Sequence, residues 1–243
     1  MKACRLILDF GNTYQKAAIF NDSSIIELNK FENISIVQLK LFVLQYSEIK
    51  SCILSSVIET PIEIINWLKE KYIFIELTHS IPIPITNNYA SPKTLGKDRL
   101  AAAIGAYSLA PNQNVLSIDA GTAIKFDFVT KKGEYLGGSI SPGLYLRFKA
   151  LHTFTAKLPL VDYNNVHELI GNNTETSILS GVMNGAISEI NTFIEDYKSR
   201  YSELKIFFTG GESIYFERYI KNHIFADSNL VLIGLNEILK FNE

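Results

Sequence analysis

The chain of 243 residues is poor in the side chains that build small secreted or metal-bound scaffolds: two cysteines, two methionines, one tryptophan and four histidines. Cys4 and Cys52 lie inside apolar, strand-like runs, where a thiol acts as a small buried hydrophobe. That argues against a disulfide framework and fits a reducing compartment. His79, His152, His167 and His223 share no ligand spacing, which speaks against a zinc site. No basic tract occurs; 23 Lys and Arg face 25 Asp and Glu, giving a net charge of −2. Charge therefore points to neither nucleic acid nor an anionic membrane surface. No apolar run approaches the length of a membrane span. The first apolar run reaches Asp9 at once, unlike a signal peptide. The Walker A run, the Gly-x-Gly-x-x-Gly fingerprint and the Gly-x-Ser-x-Gly nucleophile turn are all missing. With 47% hydrophobic and 20% charged residues, what remains is a chain able to bury a sizeable core, expected to be a soluble cytoplasmic protein.

One short phrase is present twice. Leu6-Ile7-Leu8-Asp9-Phe10-Gly11-Asn12-Thr13 is matched, about half a chain later, by Leu116-Ser117-Ile118-Asp119-Ala120-Gly121-Thr122-Ala123. Each runs into a second strand-like segment, Gln15–Phe20 and Ile124–Val129. A single Asp-x-Gly is an ordinary hairpin turn. Two in matching strand–turn–strand settings have a chemical use: the turn exposes N–H groups to a phosphate, and the carboxylate holds a metal or its water. Two domains are expected, 1–112 and 113–243, with a nucleotide clamped between related turns.

Periodicity fills in the halves. Strands are expected at Arg5–Asp9, Gln15–Phe20 and Ser24–Leu28, a helix at Ile36–Tyr46, a short run at Cys52–Leu54, a helix from Pro61 to Lys69 and a strand at Tyr72–Leu77. Ile81-Pro82-Ile83-Pro84 reads as an extended connector, and Gly96–Tyr107 as a helix rich in small residues. The second half repeats the order with strands at Val115–Asp119, Ile124–Thr130 and Glu134–Ile140, then helices from Ser141 to about Leu151 and from Thr174 to about Lys198. A strand at Leu204–Phe208, a helix at Glu212–Lys221, a strand at Leu230–Ile233 and a helix at Leu235–Lys240 complete it. Leu158–Asn173 shows no period and is expected to be a loop.

A duplicated meander with an acidic turn in each half resembles the actin-like and sugar-kinase superfamily, and Phe208-Thr209-Gly210-Gly211 supplies a glycine turn where a flat adenosine would approach backbone. Gly96-Lys97-Asp98-Arg99 after an approach holding Tyr89 and Pro92, Gly137 to Leu144, Thr155 to Pro159, and Ile170 to Thr174 narrow the likeness. Together with both Asp-x-Gly phrases they resemble the type III pantothenate kinase family, from about residue 5 to 215. That resemblance implies an α/β fold of two tandem ribonuclease-H-like domains with a central nucleotide cleft. It further implies ATP-dependent phosphorylation of pantothenate to 4′-phosphopantothenate, the first step of coenzyme A synthesis, by a homodimer.

The site residues implied are Asp9, Phe10, Gly11, Asn12, Thr13, Tyr14, Gln15 and Lys16 as the first ATP loop, with Asp9 on Mg²⁺, and Thr122, Gly210 and Gly211 as further ATP contacts. Tyr89, Gly96, Lys97, Asp98, Arg99 and Thr174 would form the pantothenate site, Thr174 coming from the neighbouring subunit, with Asp98 as base. Asp119 would hold a monovalent cation, K⁺ or NH₄⁺. The residue chemistry agrees: an Asp can accept the alcohol proton when the transition state is loose, and Arg offers a planar fork to a carboxylate.

The chain departs from the family pattern twice. No Asn follows in Leu100-Ala101-Ala102-Ala103, and Lys125 stands where a small or hydroxyl residue is usual. If Lys125 points inward, its ammonium replaces the monovalent ion; if outward, it is a solvent-side strand residue. Two other readings stay open: a regulatory, transcription-accessory relative without catalysis, and a kinase of the same superfamily with another substrate.

Overall fold

The computed structural model describes residues 4–163 and 167–243. The chain up to Leu109 groups with Gly133–Tyr135 and Asn229–Glu243 in one compact unit; Ala110–Lys132 and Leu136–Ser228 form a second.

The first unit is built on strands β1 (Cys4–Phe10), β2 (Gln15–Asn21), β3 (Ser24–Phe31), β4 (Ile49–Ser56) and β5 (Ile73–Glu76), in the order β3-β2-β1-β4-β5. β1 is antiparallel to β2 and parallel to β4. Period-2 alternation decides the faces of β1. Leu6, Leu8 and Phe10 join Cys52 and Leu54 of β4 in a core closed by α1 (Ile36–Val43) and α2 (Ile62–Lys71), through Leu39, Ile64 and Leu68. Ile7 and Asp9 lie on the opposite face. α1 starts at a capping box between Ser35 and Gln38.

That opposite face belongs to α3 (Lys97–Leu109) and α6 (Leu230–Phe241), which pack on each other, with α6 also on β1 and β4. The two helices meet backbone to backbone. A Cβ at Gly105 would lie 2.2 Å from the Leu230 carbonyl oxygen, and one at Gly234 would lie 1.8 Å from that of Ala101. Only glycine permits that approach. The Glu243 carboxylate accepts from Arg5 Nη2 and Ser51 Oγ, both at 2.5 Å, and ties the end of α6 to β1 and β4.

The second unit contains β7 (Val115–Ala120), β8 (Ala123–Val129), β9 (Glu134–Pro142), β10 (Lys205–Thr209) and β11 (Phe225–Ala226). Read from β9, the order β9-β8-β7-β10-β11 repeats that of the first sheet, as the doubled phrase implies. A two-residue β6 (Thr86–Asn87) pairs with Glu134 and Tyr135 of β9, the residues that group with the first unit. α4 (Leu144–Thr153) and the long α5 (Thr174–Arg200) cover the sheet, with Phe126, Phe128, Phe148, Met183 and Ile190 in the core. The described part of Leu158–Asn173 is loop; residues 164–166 of that segment lie outside the described residues.

Three expectations fail. Leu230–Ile233 is the first turn of α6, not a strand; a four-residue apolar run has no period to separate the two, and the Gly234 contact with α3 decides it. Glu212–Lys221 forms two short 3₁₀ turns, Ser213–Tyr215 and Glu217–Tyr219, not an α-helix. Its aromatic-rich sequence is a poor helix former, and Phe216 is drawn fully into the core. Finally, the segment Asn229–Glu243, expected within the 113–243 domain, groups with the first unit because α6 is the partner of α3. Replacing Gly234 by Ala should lower the stability of the protein by about 3 kcal/mol through overpacking against Ala101. Urea unfolding of the variant beside the parent checks this; an unchanged midpoint would refute the contact.

Candidate functional site

In the first unit the antiparallel and parallel ladders place Lys16, Asp9 and Ser55 in one row at the ends of β2, β1 and β4. Residues in register share a face. Ser55 Oγ is buried, with the residue 1% exposed, and has no hydrogen-bond partner. A buried hydroxyl left so costs about 1–3 kcal/mol, an expense that a ligand would offset. Beyond Asp9 the chain turns through Gly11, whose N–H donates to the Tyr14 carbonyl at 3.0 Å, and leaves Asn12, Thr13 and Tyr14 exposed. Phe10 and Gln15 do not present their side chains to this loop. Phe10 sits in the core, and the buried Gln15 accepts the Ile34 N–H through Oε1 at 2.8 Å.

Gly96, Lys97, Asp98 and Arg99 open α3. Lys97 Nζ donates to the Ser56 carbonyl at 3.4 Å, which ties the helix start to the end of β4 beside Ser55. A Cβ at Gly96 would come within 2.6 Å of Asp98 Oδ1, so glycine gives the carboxylate its room. Asp98 in a first turn is also favoured by the helix dipole. Arg99 is buried, with its guanidinium carbon 5.7 Å from the centre of the Tyr89 ring, a cation–π contact that fixes the plane of the fork. Tyr89 itself is held by its N–H on Asn87 Oδ1 and by packing on the fully buried Tyr135. The sequence-derived set Tyr89, Gly96, Lys97, Asp98 and Arg99 is thus brought together in one unit, which also carries Asp9 on β1.

In the second unit, Asp119 ends β7, Gly121 makes the turn through its N–H on the Ala123 carbonyl, and Thr122 is exposed at the tip. Lys125 stands opposite Asp119 in the β7–β8 register and points at it: Nζ lies 2.7 Å from Asp119 Oδ2. On the other side β10 delivers Gly210, at φ +100, where a Cβ would lie 2.1 Å from the Ala120 carbonyl oxygen and 2.6 Å from Asp119 Oδ1. The turns holding Thr122 and Gly210-Gly211 are therefore neighbours, with the Asp119 carboxylate between Lys125 and Gly210. Thr174 is elsewhere in this unit, exposed at the start of α5, where Asn173 and Thr176 form a capping box. It lines an open, mainly apolar groove of about 1350 Å³ between α4 and α5, shared with Leu146, Phe154, Ile178 and Val182.

Two sheets of one repeated strand order, each with an acidic residue and a glycine turn ending its first strand, define the actin-like ATPase and sugar-kinase fold. Solved structures agree at the level of fold. The chain is similar to one described as a conserved putative Baf family transcriptional activator from Campylobacter jejuni, with TM-score 0.62, 24% identity and 98% of each chain covered. It is also similar to a putative N-acetylmannosamine kinase from Listeria monocytogenes, with TM-score 0.56, 13% identity, and 99% and 100% covered. Within that fold, the family model for type III pantothenate kinase matches residues 5–196. Curated relatives named type III pantothenate kinase are 46% identical in Christiangramia forsetii and 43% in Phocaeicola vulgatus, each alignment covering 98% of both chains. The chain belongs to the type III pantothenate kinase family.

Sequence reasoning missed three polar groups. Ser55 is one. Asp127, a charged residue inside the strand-like segment Ile124–Val129, is 2% exposed within β8. Glu212 is the third: its carboxylate accepts the N–H groups of Leu144 at 2.9 Å and Tyr145 at 3.4 Å and the Tyr163 hydroxyl at 2.8 Å. Burial, and then the Glu212 contact, push the Tyr163 phenol well above its usual pKa, so it stays a donor. The available signal was that α4 begins at Gly143 with no side-chain cap and no acid in its first turn, leaving its N-terminal amides to a distant carboxylate. Glu212→Ala should cost about 1–2 kcal/mol, the loss of a helix cap. Amide exchange in the first turn of α4 should speed up in the variant; unchanged exchange would remove Glu212 from this role.

Proposed function

We propose that the protein transfers the γ-phosphoryl group of ATP to the primary alcohol of pantothenate, giving ADP and 4′-phosphopantothenate at the entry to coenzyme A synthesis. The observation that carries the reading is the start of α3, where Gly96 makes room for Asp98 and Tyr89 stacks under Arg99, tied through Lys97 to the strand beside Asp9. Asp98 takes the alcohol proton as the alcohol oxygen bonds to the γ-phosphorus and the bond to the β–γ bridging oxygen breaks. Arg99, its plane fixed by Tyr89, receives the substrate carboxylate, which places the alcohol for in-line attack.

Asp9 is assigned to Mg²⁺. One carboxylate together with substrate phosphates is a donor set that this ion takes, and among the described residues no cluster of three or more His, Cys, Asp or Glu offers an all-protein cage. The partnerless Ser55 hydroxyl in the Asp9 row fits a hydrated ion or phosphate oxygen. When bound, the ion neutralises charge developing on the phosphates. The loop Gly11–Tyr14 with Lys16, and the turns of Thr122 and Gly210-Gly211, are assigned to ATP; Phe10 and Gln15 contribute main chain only. The family resemblance implies K⁺ or NH₄⁺ at Asp119, but a carboxylate carrying the Lys125 ammonium is a poor host for a second cation.

A homodimer is part of the reading. Thr174 completes the pantothenate site of the partner, and a second copy covers the groove between α4 and α5, where Phe154 is 85% exposed. The cytoplasm suits the two free, buried cysteines. Among the described residues no helix is long and apolar enough to cross a membrane.

Pantothenate-dependent ADP release tests the proposal. Asp98→Asn should lower kcat by about 10²–10⁴ with little change in Mg·ATP affinity. Full activity of that variant would refute the base, and absence of any pantothenate-dependent turnover would favour a regulatory role or another acceptor. Phe154→Asp should shift sedimentation from dimer to monomer and abolish turnover together; an active monomer would refute the shared site.

A further inference from the structure

Asp119 and Lys125 are more than a strand pair. An ordinary cross-strand ion pair stands over the middle of a sheet or at a solvated edge and stabilises little. This one stands beside a turn, one register pair before Ala120 and Ile124. Both side chains are only 17% exposed, and the Asp119 carboxylate is confined between the ammonium on Oδ2 and the Gly210 backbone against Oδ1. A Cβ at Gly210 would clash with both the Ala120 carbonyl and the Asp119 carboxylate, so only glycine fits this close to the pair. The fixed positive charge therefore lies at the junction of the Gly121-Thr122 turn and the Gly210-Gly211 turn.

We propose that the Lys125 ammonium is a built-in monovalent cation that makes nucleotide binding by this protein independent of K⁺ and NH₄⁺. The inference rests on the assignment of these two turns to ATP. An ammonium carries the single charge of K⁺ on a flexible stem, so it supplies at Asp119 the positive charge that a bound monovalent ion would supply. A second cation at Asp119 would meet this charge at close range, where like charges disfavour each other. Unlike a free ion, the tethered charge does not dissociate, and its occupancy does not follow the salt composition.

The experiment is calorimetric. ATP affinity is measured with Mg²⁺ in KCl and in choline chloride at equal ionic strength, beside pantothenate-dependent ADP release in both salts. The unaltered protein should show the same ATP Kd within about twofold in the two salts. Lys125→Met, which keeps the length and loses the charge, should bind ATP about tenfold more weakly in choline and regain affinity in KCl. A tenfold preference of the unaltered protein for KCl overturns the proposal, and needs no variant to fold. So does a Lys125→Met protein with an unchanged melting temperature whose affinity is unaffected in choline, or is lost equally in both salts. Salt-independent ATP binding without pantothenate turnover would refute the kinase reading while leaving the role of Lys125 standing.

Discussion

The backbone contact between α3 and α6 is the constraint on which the first unit depends. Two glycines, Gly105 and Gly234, bring the helices closer than any side chain allows, and the pair then covers the face of β1 and β4 on which Asp9 and Ser55 lie. The N-terminus of α3 is carried to the end of β4 by this packing, and Lys97 fastens it there. Asp98 and Arg99 thus owe their positions to a helix encoded at the far end of the sequence. Dense interiors transmit such displacements instead of absorbing them, so small changes at the glycine contact reach the candidate base.

The two halves use one strand order, and each sets a lysine opposite its acidic residue in the antiparallel register. Asp9 stands in a row with Lys16 and a hydroxyl that lacks a partner, an arrangement suited to an arriving ligand. Asp119 is already neutralised by Lys125 and boxed in by Gly210. The duplicated scaffold thus sets an acidic residue beside a buried, partnerless hydroxyl in one half and against an ammonium and a glycine turn in the other. Glu212 adds a third fixed charge: its carboxylate occupies the N-terminal amides of α4, the kind of group that otherwise attracts an anion.

Much of this was legible in the residues. The doubled Asp-x-Gly phrase announced the repeated sheet, and the Gly96–Arg99 segment with Tyr89 named a cluster that the folded chain does assemble. Strand and helix periods placed most elements within a few residues. What stayed hidden depends on distant partners. Leu230–Ile233 is apolar on every side, and nothing within it separates a buried helix from a strand until Gly234 meets Ala101. Phe10 and Gln15 belong to the loop phrase by position, yet strand alternation and the Ile34 N–H turn their side chains away. Ser55, Asp127 and Glu212 carry no local motif, because burial and long-range acceptance give them their roles.

The return of α6 to the first unit also orders events in time. Strands β1 to β5 leave the ribosome early, but the helix that seals their second face is made after every residue of the second unit. The half that is translated first is therefore the half completed last. Until then Ile7, Ile53 and the apolar side of α3 lack their cover, and nascent chains carry an exposed apolar face through most of synthesis, the condition under which chaperones are recruited.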